Sequence, residues 1–371
     1  MIYSLKGGQK NICGICPIPF VYAKIHNWGN GFVVYTCCAD AVKSEIGVVD
    51  ENHSIEEVWN GDKAKSFRQK LLKKDYSDCD LTFCNIGLML ARLDYFNGKE
   101  VNYAENCGYP LMVDLAHDDE CNLMCTTCRD KTIINTPEQL EYLNERIDTV
   151  ILPLLKKAKI VLLSSGGEVF FSRHYKELIK RINETYPDIK YILNTNGQLF
   201  TQKNYDLLWS GNDKIYSVIV SIHSIKKEVY EEIMRGGKWE TLLENLNFIL
   251  ALKNSKRIEK IYFNFVIQTK NYKEMPEMVR FSRKYGAIAR FRPYVSWGTS
   301  LSYDDAAVFN KDHPEFPYFL KIIQDPIFSS KDTYLDPIAE SLQKKNKPNL
   351  TIRRLIKYLL PYGVVRLIQK K

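Results

Sequence analysis

No cysteine follows residue 128, no acidic residue follows Glu340, and no apolar run in the 371 residues approaches the ~18 needed for a membrane-spanning helix. The last absence excludes a transmembrane helix as an expectation. The start, MIYSLKGGQKN, lacks the apolar stretch and small-residue cleavage site of a signal peptide, so the expected location is the cytoplasm. The missing acidic residues leave nine basic ones after Glu340 with no counter-charge. Without those nine, the 52 basic residues fall to 43 against 44 acidic, so the +8 net charge belongs to the tail. A nearly neutral body argues against a general nucleic-acid surface, and no nucleic-acid partner is expected.

What is present is concentrated. All ten cysteines lie at 13, 16, 37, 38, 79, 84, 107, 121, 125 and 128. A chain of this size has no need of disulfides, and a reducing compartment disfavours them. Clustered thiols there are more often metal ligands, which is expected of seven or eight; the rest are ordinary buried side chains.

Residues 1–100 read as a cysteine-bearing module. GFVVYTCC (31–38) reads as a strand running into paired cysteines. Ser54 and Glu57 have capping-box spacing, predicting a helix to about Lys74 that is weakly interrupted at Gly61. From Tyr109 the pattern alternates. Apolar, β-branched runs at 109–116, 159–165, 189–195, 215–222, 259–268 and 287–295 are separated by helical stretches such as 172–186 and 238–253. Six strands joined by helices imply parallel pairing with right-handed crossovers. That is an α/β fold, either a partial barrel of six units or a doubly wound sheet. In both, ligands bind at the carboxyl ends of the strands. The expected organisation is a small α+β module over 1–100, a core over 101–300, an extension over 301–348 and a basic tail over 349–371.

Strand 109–116 is followed by HDDECNLMCTTCRDK. Three thiolates at Cys121, Cys125 and Cys128 can take three irons of a [4Fe–4S] cluster and leave the fourth open to a chelating molecule. If that molecule is S-adenosylmethionine (SAM), one electron passed into its sulfonium releases a deoxyadenosyl radical. Structural zinc is the bland alternative; it wants a fourth Cys or His close by, and His117 lies at the strand end.

CNLMCTTC resembles the CxxxCxxC motif of the radical SAM superfamily, particularly members with a SPASM or twitch auxiliary-cluster domain. The resemblance covers about 108–300 and implies a partial (β/α)6 barrel. Thr127 stands where many members carry an aromatic residue. Gly166, Gly167 and Glu168 are similar to the family's GGE segment, with Val169 in place of the usual Pro; this implies contact with the methionine amino group of SAM. Asn196 lies in a segment similar to the TNG at the end of the third strand. Ser221 at the fourth strand end and Arg235 after the next helix take, by the same resemblance, the SAM ribose or carboxylate. His223, often Asp in relatives, is a candidate catalytic proton donor and acceptor. Gln268, Asn271 and Arg292 are further polar candidates at the mouth, Gln268 for the cofactor.

Cys13, Cys16, Cys37, Cys38, Cys79 and Cys84, with IGVV (46–49) and SIEEVWN, resemble a SPASM-type module placed before the core instead of after it. Cys16, Cys37, Cys79 and Cys84 are the favoured ligands of a second [4Fe–4S] cluster, with Cys13 and Cys38 as alternates and a zinc ribbon as the competing reading.

The tail, NLTIRRLIKYLLPYGVVRLIQKK, places apolar residues at 352, 355, 356, 359 and 360 beside Arg353, Arg354 and Lys357. Such a helix can lie on an anionic membrane, which allows peripheral contact at its inner face. It also resembles terminal segments of cytoplasmic enzymes of bacterial surface-polysaccharide assembly. The resulting expectation is a radical SAM oxidoreductase or epimerase. It takes electrons from a flavodoxin or ferredoxin and abstracts hydrogen from a sugar or glycan intermediate. A peptide- or protein-modifying maturase is the alternative. A non-catalytic iron–sulfur or zinc protein that binds nucleic acid through the tail is the competing class.

Overall fold

The computed structural model describes residues 15–27, 31–38, 41–42, 44–80, 84, 101–105, 107–163, 166–209, 215–336, 339 and 342, with the backbone of 3–6 and 9–12. Cys13 and the tail 349–371 lie outside them. Packing divides the chain into two compact units, Met1–Glu120 with Ile134–Asn194, and Cys121–Ile133 with Thr195–Lys371. No described helix is long and apolar enough to cross a membrane.

In the first unit, β1 (Tyr3–Lys6) and β2 (Gln9–Ile12) form an antiparallel pair. β3 (Tyr22–Asn27), β4 (Phe32–Tyr35) and β5 (Gly47–Val49) form an antiparallel meander. β3 also pairs in parallel with β6 (Met112–Leu115). β6 then pairs in parallel with β7 (Ile160–Leu163), and β7 with β8 (Lys190–Thr195). β6 and β7 are buried at every position, as expected of parallel strands covered on both faces.

In the second unit, β9 (Ile215–Ser221), β10 (Ile258–Ile267), β11 (Ile288–Pro293) and β12 (Thr333–Leu335) are all parallel neighbours. In each unit the successive βα strands lie side by side in chain order. Parallel strands joined by helices make this the α/β fold expected from the alternating pattern. Odd-numbered residues of β10 and β11 share one face: Phe263 meets Phe281 and Tyr285, Phe265 meets Phe291 on the neighbouring strand, and Phe291 meets Phe328. Because strand side chains alternate, Asn264, Arg290 and Arg292 project from the opposite face.

Two expectations change. The helix predicted from Ser54 to Lys74 is two, Ile55–Trp59 and Asp62–Leu72. Gly61 is the N-cap of the second, and a Cβ there would lie 2.9 Å from Glu57 O. The Ser54–Glu57 capping box forms as read. The parallel array does not stop at six strands, because β3 adds to one side of β6 and β12 to β11.

Candidate metal centre

The loop carrying Cys121, Cys125 and Cys128 belongs to the second unit and is closed at its neck. Cys121 N donates to Ile133 O at 3.0 Å, forming an isolated antiparallel bridge. Inside the loop, Cys125 O accepts from Cys128 N at 2.9 Å and from Arg129 N at 3.0 Å, a single tight turn. Met124 N donates to Arg235 O and Thr126 N to Ile233 O, both at 2.9 Å, so the middle of the loop is paired to the segment following helix Lys227–Ile233. Gly236, at φ +92°, turns that segment away; a Cβ there would meet Leu123.

Cys121 is buried, Cys125 half-buried and Cys128 exposed. Burial pushes the Cys125 thiol up, and Cys128 and Cys121 push it further, against the pull of Arg129. Arg129 donates to Cys128 Sγ from Nη2 at 3.3 Å and Nε at 3.4 Å. Asn196 Nδ2 lies 3.9 Å from Cys121 Sγ and donates to Asn122 Oδ1 at 2.9 Å. The Cys125 thiol, whose ionisation burial and its neighbours oppose, ionises more readily beside a cation, which is what an iron–sulfur cluster supplies. Among the described residues no three His, Cys, Asp or Glu side chains surround a point as ligands of one ion would. A cubane asks for a wider spacing, because each thiolate takes its own iron.

The remaining second-unit candidates sit at strand ends. Gly197, at φ +77°, makes the Asn-Gly turn after β8, and Asn245 Nδ2 holds its carbonyl at 2.7 Å. Ser221 ends β9 in register with Asn264 of β10. His223 Nδ1 accepts from Val266 N at 3.2 Å, continuing the ladder one step beyond Ile222 N to Asn264 O. Its proton is therefore on Nε2. Burial lowers its pKa to about 4 despite the Asn264 backbone contact, so the ring is neutral at physiological pH. Asn271 Oδ1 accepts from Gln268 N, and its Nδ2 donates to the His223 and Val266 carbonyls. Two buried polar atoms here have no hydrogen-bond partner among the described residues, Gln268 Nε2 and Asn264 Oδ1. Orphaned groups at the carboxyl ends of parallel strands fit a site that receives a polar ligand. Arg292 touches Asp336 through Nε at 3.9 Å.

In the first unit the GGE segment packs on the chain just before Cys121. Glu168 N donates to Glu120 O at 2.8 Å. A Cβ on Gly167 would stand 2.6 Å from Glu120 O and 2.7 Å from Asp118 O, and one on Gly166 would strike Asp119. The resemblance sets these glycines against SAM; the structure shows close approach by the chain itself. The buried Glu168 carboxylate accepts from Phe170 N at 3.3 Å.

The auxiliary thiols are gathered in the same unit. β4 leads into Cys37 and Cys38, Cys38 O accepts from Ala41 N, and Val42 bridges to Cys79. Burial pushes the Cys16 thiol up, with Cys84 and Cys79 adding to it. Burial, then Cys84, Cys16, Cys38 and Cys79, does the same for Cys37. The four favoured residues are thus brought together, with Cys38 beside them. Cys107 has different company: burial raises its pKa, and Arg68 and Trp59 pull it back.

Residues missed in the sequence reading flank the cluster loop in the chain and bind one another within the first unit. The buried Glu120 carboxylate accepts from Arg173 N at 2.9 Å, Arg173 Nη2 at 2.7 Å and Asn135 N at 2.8 Å. Asp118 accepts from Asn135 Nδ2 at 2.8 Å and from Ser172 Oγ. Asp118 and Glu120 were legible as polar, but these carboxylate partners lie 15 to 54 residues away.

A parallel α/β scaffold with two clusters of cysteines, one on the loop after β6, fits an iron–sulfur protein. Residues 117–282 match the radical SAM superfamily and residues 16–85 an iron–sulfur cluster-binding SPASM domain. The chain carries a radical SAM domain over 117–282, preceded by a SPASM domain over 16–85, and [4Fe–4S] clusters and SAM are the cofactors of these domains.

By sequence it is 25% identical over 191 residues to the GTP 3',8-cyclase of Limosilactobacillus fermentum, covering 51% of this chain and 55% of that protein. It is 24% identical over 200 residues to the FeMo cofactor biosynthesis protein NifB of Methanocaldococcus infernus, covering 47% and 64%. The chain thus spans about half the length of the first of these relatives. Among solved structures, Streptococcus suis SuiB bound to S-adenosylmethionine aligns with TM-score 0.41 and 16% identity over 88% of this chain and 71% of that one. Methylornithine synthase PylB aligns with TM-score 0.38 and 10% identity over 84% and 95%.

Proposed function

We propose that the chain cleaves SAM reductively at a cluster held by Cys121, Cys125 and Cys128, and directs the resulting hydrogen abstraction onto a small molecule. The observation that carries this reading is the loop after β6, closed by the Cys121–Ile133 bridge, that presents three cysteines spaced four and then three residues apart. When bound, the cluster and SAM together supply a deoxyadenosyl radical. The chain's own residues position and enclose. Asn196 steadies the start of the cluster loop, and Gln268 and Asn264 offer a donor and an acceptor. His223 donates through Nε2. Cys16, Cys37, Cys79 and Cys84 hold the second cluster, and complete thiolate ligation suits electron transfer better than substrate binding. Glu168 and Ser221 remain assigned to SAM.

The sugar or glycan reading rests on the tail, outside the described residues. Relatives named for cyclising GTP and for building the FeMo cofactor favour small-molecule, cofactor-building chemistry instead. An external electron donor of flavodoxin or ferredoxin type belongs to the same reading.

Anaerobic reconstitution tests it. Wild-type protein should hold about eight irons, and replacing the three triad cysteines by Ala should remove about half and abolish 5'-deoxyadenosine formation. Zinc at the triad, or SAM cleavage persisting without it, would refute the reading.

A further inference from the structure

We propose that Arg235 is a positioning residue for the cluster loop, fixing the course of residues 124–130 and through them the thiolates of Cys125 and Cys128. This rests on the reading that those thiolates hold a cluster. Irregular loops leave backbone carbonyls in need of donors, and a guanidinium offers five N–H groups in a rigid fork. Arg235 Nε donates to Met124 O at 2.8 Å, while Met124 N donates back to Arg235 O at 2.9 Å. Nη2 reaches Arg129 O at 3.3 Å and Asp130 Oδ1 at 3.4 Å. Met124 directly precedes Cys125 and Arg129 directly follows Cys128, so one side chain grips both shoulders of the two-thiol turn.

The grip is braced from the other side. Asp130 accepts from Ser300 N and Ser300 Oγ, both at 2.7 Å, and Thr299 Oγ1 donates to Thr126 O at 3.0 Å. The segment after β11 thereby holds the same loop that Arg235 holds. A guanidinium spread over two carbonyls and a carboxylate is committed to the loop. A lysine, with one compact ammonium, cannot span both shoulders.

The test uses full-length protein reconstituted anaerobically with iron and sulfide, comparing iron content and the EPR signal of the reduced clusters without SAM. Arg235→Ala should lose about half of its iron, the share of one of two four-iron clusters. Arg235→Lys should fall between it and wild type. Asp130 is exposed, so Asp130→Asn should fold normally; it should alter the triad's EPR signal while leaving that of the auxiliary site unchanged. Full iron and wild-type signals in all three variants, with only SAM affinity reduced, would overturn the proposal and place the guanidinium on the cofactor. Wild-type protein that takes up no iron would instead sink the reading beneath it.

Discussion

His223 shows what a strand end does to a titratable side chain. Its Nδ1 stands in for a carbonyl in the β9–β10 ladder, and burial holds its pKa near 4. The unfolded chain, with an imidazole near 6.5, takes up a proton that the folded protein refuses until about pH 4. The stability from burying the neutral ring is therefore complete above 6.5 and lost on acidification toward 4, about 3 kcal/mol in all. His223→Asn, whose amide oxygen can still accept from Val266 N, should show a shallower loss of stability between pH 7 and pH 5 in urea titrations. Parallel pH dependence in the two proteins would mean that the ring is protonated in the fold. Gly167 makes a separate point. An alanine Cβ there would press on two backbone carbonyls, which cannot swing aside as a side-chain end would. Gly167→Ala should cost about 1–3 kcal/mol and lower the thermal midpoint. An unchanged midpoint would show that the GGE loop has room to move.

The chain on either side of the cluster loop is tied together within the first unit. Glu120 ends the strand side, Asn135 begins the return, and Arg173 opens helix Arg173–Thr185, whose N-cap Ser172 is bound to Asp118. Burial would raise the Glu120 pKa, but the Arg173 side chain and the Arg173 and Asn135 N–H groups bring it below the ordinary Glu range. Its contribution is present above about pH 4.5 and is lost as the carboxylate protonates at its lower folded value. Glu120→Gln should cost about 2 kcal/mol at pH 7 and flatten the acid limb of the stability curve. Equal stability at pH 7 would show that this tie does not depend on the charge. Sequence reading found β6 to β11 because their β-branched runs are buried, and it found the Ser54 cap because a capping box is local. It missed β3 because YAKIHN has neither a long apolar run nor clean alternation; its partner β6 lies some ninety residues on. It treated Gly61 as a weak interruption because periodicity continues across it, while the chain actually turns there.

At the scale of the whole molecule the cysteine groups were legible and their surroundings were not. Spacing alone announces Cys121, Cys125 and Cys128. The grouping of Cys16 with Cys37, Cys79 and Cys84 was read through resemblance, and it depends on strand pairings that spacing does not encode. Arg235 illustrates the gap: its type and place were noticed, but its contacts with Met124 and Arg129 come from tertiary structure. The basic tail raises the remaining whole-chain question, because it carries the charge excess and no residue assigned to either cluster. If 349–371 lies on an anionic membrane, apolar burial and lysines or arginines near headgroups act together, the latter at roughly 1 kcal/mol each. Full-length protein should then sediment with anionic vesicles, weakly with neutral ones, and less at high salt. A chain ending at Pro348 should stay in the supernatant and still cleave SAM, because the residues assigned to SAM or the clusters, the clamp at Ser300 included, precede it. That separation would favour a substrate met at the membrane surface. A truncated protein that loses its iron would show instead that the tail belongs to the fold, and the glycan reading would lose its support.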